Sequence, residues 1–518
     1  MAFVEEEEYD VAIVGNGPVG AATAALLGSH GIETAVYERF ATPYGLPRAI
    51  RLDHEAMRIC QLLGIADELL DDLLPVNRYE WFGADGELIV KFDLPSGPSG
   101  WPFSYTFFQP HLEDALGRAV AAAGVPVHRG WSLVGLTELD DRVELELERT
   151  DAEPGETRRR VYAKHVVGAD GAHSTVRELL EIDFVDLGFA ERWLVVDLLP
   201  TDPSLGFPDF PQQYCDPRRP HMWAPNGRRH RRWEFMLLPH ETAEDFEAPE
   251  RVWSMLAPWL DRSQGELVRH AVYEFGCRLA TTMQSRRCFL AGDAGHVMPP
   301  HLGEGLCSGL RDANNLAWRL ALTYNGPAGP EALESYSSER LPHVRELVEQ
   351  SKAMGRISCE LDPHAAATRD LRLRAAGSLE EWPFPKLGPG IVYGGSRGIR
   401  GAAGSLSVQG TIRRDGSSGR LDDVAGRGFK LIAAGAGLRD VLSWQQLASL
   451  DALGCALISL GEDATDADGE LTRWLASIGA AAVLVRPDFY VFGAVAALDH
   501  AGVLVDDLCA QLPFKVRR

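Results

Sequence analysis

The stretch YDVAIVGNGPVGAATAALLGSHGIETAVYE, residues 9–38, decides the fold prediction for this chain of 518 residues. A short apolar run is followed by a turn that contains Gly15, Gly17 and Gly20, and then by an alanine-rich segment. A second apolar run follows and ends at Glu38. Strand, glycine turn, helix and strand in this order are typical of the βαβ unit that opens a doubly wound α/β sheet.

The spacing G-x-G-x-x-G at this turn predicts a dinucleotide site. The glycines let the backbone approach a pyrophosphate, and Pro18 suits the first position of a helix whose N-terminus faces that charge. Glu38 lies where an acidic side chain accepts hydrogen bonds from a ribose diol. A tight turn without a ligand has similar glycines, so the nucleotide interpretation depends on Glu38. The motif does not distinguish FAD from NAD.

Two further stretches favour a flavin. In GADGAHSTVR, residues 168–177, Asp170 ends a short strand before a helix. In AGDAGHVMPPHLGEGLCSGLRDANNLAW, residues 291–318, Asp293 ends another strand, and two spaced glycines precede an amphipathic helix. An amide-rich helix N-terminus stabilises an adjacent negative charge, such as that of a reduced flavin ring.

Composition limits the partners. The net charge of -23 disfavours binding to nucleic acid and to anionic membranes, and leaves small molecules as the expected partners. The eight cysteines include no C-x-x-C and no cluster with zinc spacing, so no metal site is predicted. The acidic start lacks the features of a signal peptide, and no apolar run has membrane-spanning length. A cytoplasmic protein is expected, and a homodimer is compatible with this composition.

Changes in composition and in the pattern of apolar residues along the chain predict several domains. We expect a cofactor-binding domain with some substrate-pocket segments over 1–175, a mostly antiparallel substrate domain over 176–285, and a return to the first domain with a helical segment over 286–385. A Pro/Gly-rich linker over 386–402 and a small α/β domain over 403–518 complete the prediction.

In this order, GNGPVG, GADGAHSTVR and GDAGHVMPPHLGEG resemble the three FAD motifs of the single-component flavoprotein aromatic hydroxylases, and the resemblance covers residues 8–355. PRAIRLDHEAMRICQLLGI and RRHRRWEFMLLP are similar to the 3-(3-hydroxyphenyl)propionate hydroxylase subgroup. The resemblance implies a para-hydroxybenzoate-hydroxylase-like FAD-binding Rossmann domain, an inserted antiparallel sheet and a C-terminal thioredoxin-like domain. Without a C-x-x-C, that last domain is expected to have a structural or assembly role.

The resemblance also implies which residues contact FAD besides the glycine turn. They are Glu38 and Arg39 at the adenosine ribose, Arg48 and Gln109 along the phosphate and ribityl chain, Asp170 in a motif shared with nicotinamide binding, Asp293 at the ribityl group, and Gly303, Glu304, Gly305 and Leu306 at the flavin pyrimidine. Pro300 is a further expected cofactor contact. Glu304 stands where the family commonly has Gln. We expect its carboxylate to face away from the ring or to be hydrogen-bonded.

The implied reaction is hydroxylation of a phenolic aromatic substrate, with NADH or NADPH as transient electron donor, O2 as cosubstrate and a flavin C4a-hydroperoxide as oxygen donor. A dry pocket and a group that takes the phenolic proton are then needed. His301 is the preferred candidate, although a packing role suits it equally, and Tyr214 and Arg48 are the other catalytic candidates.

Two neighbouring features allow two interpretations each. Six arginines lie within residues 218–232 and form either a clamp for an aryl carboxylate or nicotinamide phosphates, or a salt-bridged surface. Trp223, Trp233 and Phe235 form either a wall of the substrate pocket or part of a core.

Three other functions remain open. A hydroxylase of larger polycyclic phenols, such as aromatic polyketides, shares the same motifs. A flavin halogenase fits less well, because its W-x-W-x-I-P segment is absent. A non-catalytic FAD-binding assembly protein would use the C-terminal domain as its interaction module.

Overall fold

A computed structural model describes residues 6–151, 158–202, 205–377 and 383–513. Its strands are, in chain order, β1 (Glu6–Val14), β2 (Thr34–Glu38), β3 (Arg51–Asp53), β4 (Leu74–Val76), β5 (Arg78–Phe82), β6 (Leu88–Asp93), β7 (Ser104–Thr106), β8 (Val127–Arg129), β9 (Trp131–Glu138), β10 (Val143–Arg149), β11 (Arg158–Gly168), β12 (Phe184–Pro200), β13 (Gln212–Tyr214), β14 (His221–Asn226), β15 (His230–Met236), β16 (Gly265–Ala280), β17 (Cys288–Leu290), β18 (His296–Val297), β19 (Thr411–Arg414), β20 (Ser417–Arg420), β21 (Lys430–Ala433), β22 (Ala456–Ser459), β23 (Thr465–Asp466), β24 (Ala482–Val485) and β25 (Val491–Val495).

The helices are, in chain order, α1 (Pro18–Ser29), α2 (His54–Leu63), α3 (Ala66–Leu69), α4 (Gln109–Ala122), α5 (Thr175–Leu179), α6 (Pro249–Leu256), α7 (Gly305–Tyr324), α8 (Glu331–Glu334), α9 (Tyr336–Ser358), α10 (Pro363–Ala376), α11 (Leu421–Ala425), α12 (Trp444–Ala452), α13 (Glu470–Ser477) and α14 (Ala501–Gln511). In the part of the chain that the model describes, no helix combines the length and the hydropathy that crossing a membrane requires.

The first sheet contains the predicted βαβ unit. Its strand order is β8-β2-β1-β11-β10-β9, and β17 pairs with β11. Strands β8, β2, β1, β11 and β17 run parallel, whereas β9 and β10 form an antiparallel edge. Because parallel strands end at one edge of the sheet, the turns after β1, β11 and β17 lie side by side.

Helices α1 and α7 pack closely against each other on this sheet. A Cβ at Gly309 would lie only 2.4 Å from Val19 Cγ2, so glycine is required for this approach. The inner side of α1 is built from small apolar residues that are fully or almost fully buried. The close packing brings the N-termini of both helices to the same edge of the sheet.

The second sheet has the order β18-β16-β12-β15-β14-β13-β5-β6 and is antiparallel apart from the β13–β5 pair. The long strands β12 and β16 carry it away from the first sheet. Its far strands β5 and β6 come from residues 78–93, within the segment that sequence analysis assigns to the first domain together with pocket segments.

The C-terminal region has its own sheet with the order β22-β21-β24-β25. Strands β21 and β22 are parallel, and β24 and β25 are antiparallel to their neighbours. Helices α12 and α13 connect these strands and α14 follows them, which is the thioredoxin-like arrangement expected from the sequence. A small sheet with the order β20-β19-β23 was not predicted.

A buried ion pair joins this region to α2. Arg58 Nε lies 2.6 Å from Asp422 Oδ2, and Lys430 Nζ lies 3.0 Å from the other carboxylate oxygen. Burial alone would raise the pKa of Asp422, but Arg58 and Lys430 hold it below its ordinary value. Breaking such a pair leaves an uncompensated buried charge, which is strongly destabilising.

We expect Arg58→Met to lower the free energy of unfolding by about 3 kcal/mol near neutral pH, because Asp422 loses one of its two cations. The difference from wild type should shrink below about pH 4, since a carboxylate with a depressed folded pKa loses its stabilising charge as pH falls. Denaturant unfolding at pH 7 and at about pH 3 measures both effects. Arg473→Met, at an exposed pair with Glu470, is the matched control. Equal effects of the two substitutions would contradict this account.

Candidate active site

A cavity of about 2000 Å³ lies between the first sheet, the second sheet and the start of α7; we call it the central cavity. Single-ligand pockets measure about 300–1,000 Å³, so it has room for two ligands. The sequence-predicted residues that line it are Gly15, Gly17, Pro18, Glu38, Arg39, Arg48, Gln109, Asp170, Asp293, Pro300, His301, Gly303, Glu304, Gly305 and Leu306. Gly20 and Tyr214 lie outside its lining.

The glycine turn is shaped by two different requirements. Gly15 has φ +99°, and a Cβ there would lie 2.4 Å from the carbonyl oxygen of Ala169. A Cβ at Gly20 would lie 2.1 Å from the carbonyl oxygen of Gly15, so both glycines serve packing. A Cβ at Gly17 would meet no protein atom within 4 Å. Gly17 therefore keeps the cavity open at the place where a pyrophosphate is expected.

Glu38 is fixed beside this turn. Its Oε2 accepts a hydrogen bond from the Asn16 N–H at 2.7 Å, and its Oε1 accepts one from the Phe40 N–H at 2.9 Å. The side-chain Oδ1 of Asn16 is buried and has no hydrogen-bond partner among the described residues. An orphaned acceptor next to a held carboxylate fits a ligand that brings donors, such as a nucleoside.

Asp170 and Asp293 differ in their partners. Asp170 accepts hydrogen bonds from the Ser174 hydroxyl and from the Val176 N–H at 3.1 Å, so it shapes the start of α5. Asp293 accepts none from a described residue and is exposed to the cavity. Although its side chain opens into the cavity, it lies deep within the protein, and this desolvation raises its pKa. Asp293 is thus the carboxylate that suits a ligand hydroxyl.

The side chain of Gln109 organises the opposite wall. Its Oε1 accepts hydrogen bonds from the backbone N–H groups of Arg48 at 3.0 Å and Ala49 at 2.7 Å. The guanidinium of Arg48 lies 4.7 Å from the ring centroid of Tyr44. Gln109 therefore sets the path of the chain that carries Arg48.

Glu304 precedes α7 and is engaged by two arginines. Its Oε1 lies 2.6 Å from Arg51 Nη1, and its Oε2 lies 2.9 Å from Arg311 Nη1. The carboxylate at this position is therefore hydrogen-bonded, in agreement with the expectation. The backbone at the start of α7 remains directed at the cavity, and a helix N-terminus there favours negative charge on a ligand.

Sequence analysis missed the buried cluster behind this helix. Arg311 donates hydrogen bonds to Asp53, to Glu55 at 2.7 Å and to Glu304, and its side chain is fully buried. Asp53, Glu304 and Cys307 lie close enough together to hold a metal ion. Because Arg51 and Arg311 already bind the two carboxylates, the arrangement favours an ion-pair cluster over a metal centre. The charges within the helical segment LCSGLRDANNLAW were the available signal.

Asp312 anchors the loop that carries Asp293. Its Oδ2 accepts hydrogen bonds from the Gly292 N–H at 3.0 Å and from His296 Nε2 at 2.6 Å, and its Oδ1 accepts one from Arg340 Nε at 2.8 Å. The sequence did not indicate this role. The loop after β17 is therefore tied directly to α7.

One part of the central cavity, which we call the aromatic compartment, has apolar and aromatic walls. These are Tyr79, Phe92, Phe103, Trp193, Met222, Tyr273, Phe275, Met298, His301, Met354 and Phe384. Trp193 on β12 was not singled out from the sequence. Walls of this kind exclude water and suit a planar aromatic guest.

His301 lies at the edge of this compartment. Its ring contacts Phe189 and Trp193 edge-on, with centroids 5.7 and 5.9 Å apart. Its Nδ1 is 3.5 Å from Ser358 Oγ and its Nε2 is 4.0 Å from Cys359 Sγ. Burial lowers the pKa of His301 to about 4, so the ring is neutral near pH 7. Both contacts are long, so the ring has capacity for a further hydrogen bond.

Tyr214 does not reach the cavity. Its ring stacks between Phe82 at 5.1 Å and His221 at 4.6 Å, and its hydroxyl donates to Gln212 Oε1 at 3.1 Å. The structure places it in a packed aromatic stack on the second sheet, which does not support the catalytic role considered for it.

Three of the six arginines in the arginine-rich segment form salt bridges. Arg218 pairs with Asp216, Arg219 with Glu241, and Arg232 with Asp197. Of its six arginines, which all fall within the described residues, only Arg232 lines the cavity. The surface interpretation is therefore favoured over the clamp.

The aromatic residues of this segment also belong to a core. Trp223, Trp233 and Phe235 pack with α6 in a cluster that does not line the cavity. The alternative of a pocket wall is thus wrong for these residues.

Residues 8–351 match the model of the FAD binding domain family. The chain belongs to this family. Residues 404–511 match the HcaD C-terminal domain. The resemblance inferred from the motifs is therefore confirmed, together with FAD as cofactor and the class of flavin-dependent aromatic hydroxylases.

Curated relatives span almost the whole chain. A protein of Rhodococcus jostii (strain RHA1) named probable NADH-specific resorcinol 4-hydroxylase is 35% identical, and the alignment covers 98% of this chain and 96% of the relative. A 3-(3-hydroxy-phenyl)propionate/3-hydroxycinnamic acid hydroxylase of Burkholderia vietnamiensis is 33% identical, with 95% of each chain covered.

A solved structure shares the fold. Aklavinone-11 hydroxylase, in a ternary complex with FAD and aklavinone, superposes with a TM-score of 0.80 over 98% of this chain and 100% of that chain. At 24% identity this likeness shows the fold alone. It confirms the expected fold class.

We expect Gly17→Ala to weaken FAD binding by about tenfold or more, because the added methyl enters the open space of the glycine turn. The stability of the apoprotein should change by less than about 0.5 kcal/mol, since the methyl meets no protein atom. Flavin fluorescence titration and apoprotein unfolding measure the two effects. Gly435→Ala, which also adds a methyl in open space but lies outside the cavity lining, is the control. Unchanged FAD affinity in Gly17→Ala would refute this assignment.

Proposed function

We propose that this protein is an FAD-dependent monooxygenase that hydroxylates a small phenolic ring and consumes NADH. One observation carries the proposal: a single cavity joins a nucleotide cradle, built from the glycine turn and Glu38, to a compartment with aromatic walls. The names of the relatives from Rhodococcus and Burkholderia support a phenolic substrate, and the former supports NADH.

FAD, when bound, supplies the chemistry that transfers one oxygen atom of O2 to the ring, with electrons from NADH. The residues of this chain bind and orient FAD. Gly17 and Glu38 hold the adenosine side, with Arg39 beside them. Asp293 accepts a hydrogen bond from a ribityl hydroxyl, and the first amides of α7 stabilise negative charge at the flavin edge.

The aromatic compartment keeps water from the reacting ring. Exclusion of water favours transfer of oxygen to substrate over loss as hydrogen peroxide. Arg48 lies in the cavity wall near Asp293 and contributes positive charge for the FAD phosphates, rather than acting on the ring.

His301 is proposed to relay the phenolic proton. Burial keeps the imidazole neutral, with a pKa of about 4. It therefore takes the phenolic proton at one nitrogen only as the other nitrogen releases its own. Ser358 Oγ, 3.5 Å from Nδ1, is the group to which that proton would pass. The weak contacts of its nitrogens with Ser358 and Cys359 leave it free to act.

The cavity volume keeps one alternative substrate class in the proposal. About 2000 Å³ also accommodates FAD together with a polycyclic phenol, as in the hydroxylase complex that shares the fold. Homodimer formation and a cytoplasmic location stay predictions of the sequence.

Oxidation of NADH and NADPH by the purified yellow protein, with a panel of phenols and a peroxide assay, tests the function. We expect single-ring phenols to stimulate NADH oxidation with little peroxide. Stimulation only by multi-ring phenols would favour the alternative of a polycyclic phenol as substrate. A colourless protein that takes up no FAD, or no stimulation by any phenol, would refute the proposal.

We expect His301→Ala to bind FAD normally but to release most of its reducing equivalents as hydrogen peroxide, because the ring hydroxyl keeps its proton. Loss of one proton-transfer group typically costs about 10²–10⁴-fold in rate, so product formation should fall by at least about a hundredfold. Parallel measurement of NADH consumed, product formed and peroxide released shows how the reducing equivalents divide between product and peroxide. His364→Ala, at an exposed position on α10, is the control. Normal coupling in His301→Ala would assign this residue to packing.

A further inference from the structure

Glu234 is a buried carboxylate that no described residue satisfies. It lies on β15, is 6% exposed and lines the central cavity. No hydrogen bond from a described residue reaches its carboxylate. Its one charged contact there is with Arg232 Nη1, at 3.6 Å from Oε1. Buried carboxylates in folded proteins are normally hydrogen-bonded, so this one calls for a donor from a ligand.

The neighbouring arginine is already engaged. Arg232 donates to Asp197 from Nε at 2.7 Å and from Nη2 at 2.9 Å, and Asn226 Nδ2 donates to the same aspartate at 2.8 Å. Its Nη1 and Nη2 also donate to the backbone carbonyl oxygens of Arg48 and Pro47, so its hydrogen bonds go to groups other than Glu234. Burial raises the pKa of Glu234, and Arg232 offsets this only in part.

The register of the sheet places Glu234 in the aromatic compartment. It pairs with Val195 on β12 and with Met222 on β14, and both of these line the cavity. Trp193, two residues before Val195 and on the same face, contacts the ring of His301. Glu234 is thus one pleat away from the wall that holds the proposed proton relay.

Tyr79 lines the same cavity as Glu234. The pKa of Tyr79 is raised by its burial and, to a smaller extent, by Cys215 and Glu234, while Trp81 and Arg51 act in the opposite direction. Arg51 holds Glu304 at the start of α7. Tyr79, Glu234 and Arg51 all line the central cavity, so Glu234 on the sheet and the loop before α7 face the same space.

We propose that Glu234 binds a ring hydroxyl of the substrate and selects a neutral aromatic ring with two or more hydroxyls over an aryl carboxylate. The inference rests on the proposed function and names its substrate class. A hydroxyl donates to the carboxylate and completes its hydrogen bonding, whereas a second carboxylate at this place is repelled. An aryl alkanoate would have to turn its charge toward Arg48 and Arg269, which also line the cavity.

Ligand binding to the oxidised FAD holoenzyme tests this, with the flavin absorbance change as readout. The ligands are resorcinol and 3-(3-hydroxyphenyl)propionate. We expect Glu234→Leu to raise the Kd of resorcinol about tenfold or more, as for loss of a hydrogen bond to a charged group. The Kd of the propionate should stay the same or fall. Glu266→Gln, at an exposed carboxylate on β16, should change neither value.

Two outcomes would overturn the inference. One is a resorcinol Kd in Glu234→Leu within twofold of wild type. The other is equal weakening of both ligands, which indicates a merely structural effect. Glu234→Gln, which keeps the shape and removes the charge, serves where Glu234→Leu fails to fold, and resorcinol binding should again weaken selectively.

A comparison of two ligands checks the same contact in the wild-type protein, where the folding of a variant is not in question. In wild type, 1,3-dimethoxybenzene, which has no donor, should bind at least tenfold more weakly than resorcinol, and this ratio should collapse in the Glu234 variants. Equal binding of the two in wild type would also overturn the inference. If wild type takes up no FAD, or no phenol perturbs its flavin, the proposed function fails and this inference with it; if phenols bind without regard to Glu234, the inference alone fails.

Discussion

The guanidinium of Arg311 is the contact on which the candidate site depends. It is fully buried on α7 and hydrogen-bonded to Asp53 and Glu55 at the start of α2 and to Glu304 at the start of its own helix. Removing such charges from water is costly, and only good geometry offsets the cost. Loss of any partner would leave a buried charge unpaired. The cluster therefore fixes the position of α7 against α2.

This constraint explains the acidic residue at position 304. A lone carboxylate before α7 would oppose negative charge on a flavin in the cavity. Arg51 and Arg311 both bind Glu304, and Arg311 is shared with Asp53 and Glu55, so two cations engage this carboxylate. Glu in place of the family's usual Gln is thus tolerable because Arg51 and Arg311 are present. The start of α7 keeps its positive character toward the cavity.

Sequence reasoning identified residues that line the cavity where the signal is local. The glycine turn, Glu38 and Asp293 each lie within one strand–turn–helix segment, and parallel strands bring such turns to one edge. The Arg311 cluster joins residues more than 250 positions apart, which no local pattern reveals. Sequence analysis left the role of Trp233 open; on β15 it faces the side opposite to Glu234, and the packing of α6 makes its side the core.

The C-terminal region contacts α2, the helix that carries Glu55. Arg58 of α2 is paired with Asp422, and the hydroxyl of Tyr490 lies 3.2 Å from Glu55 Oε2, within the cluster around Arg311. Arg486 further pairs with Glu339 of α9. These contacts are buried, so they are strong only while the interface stays dry. A thioredoxin-like domain without a C-x-x-C thereby contributes to the cavity by holding α2 in place, and its loss would expose the charges that position the start of α7.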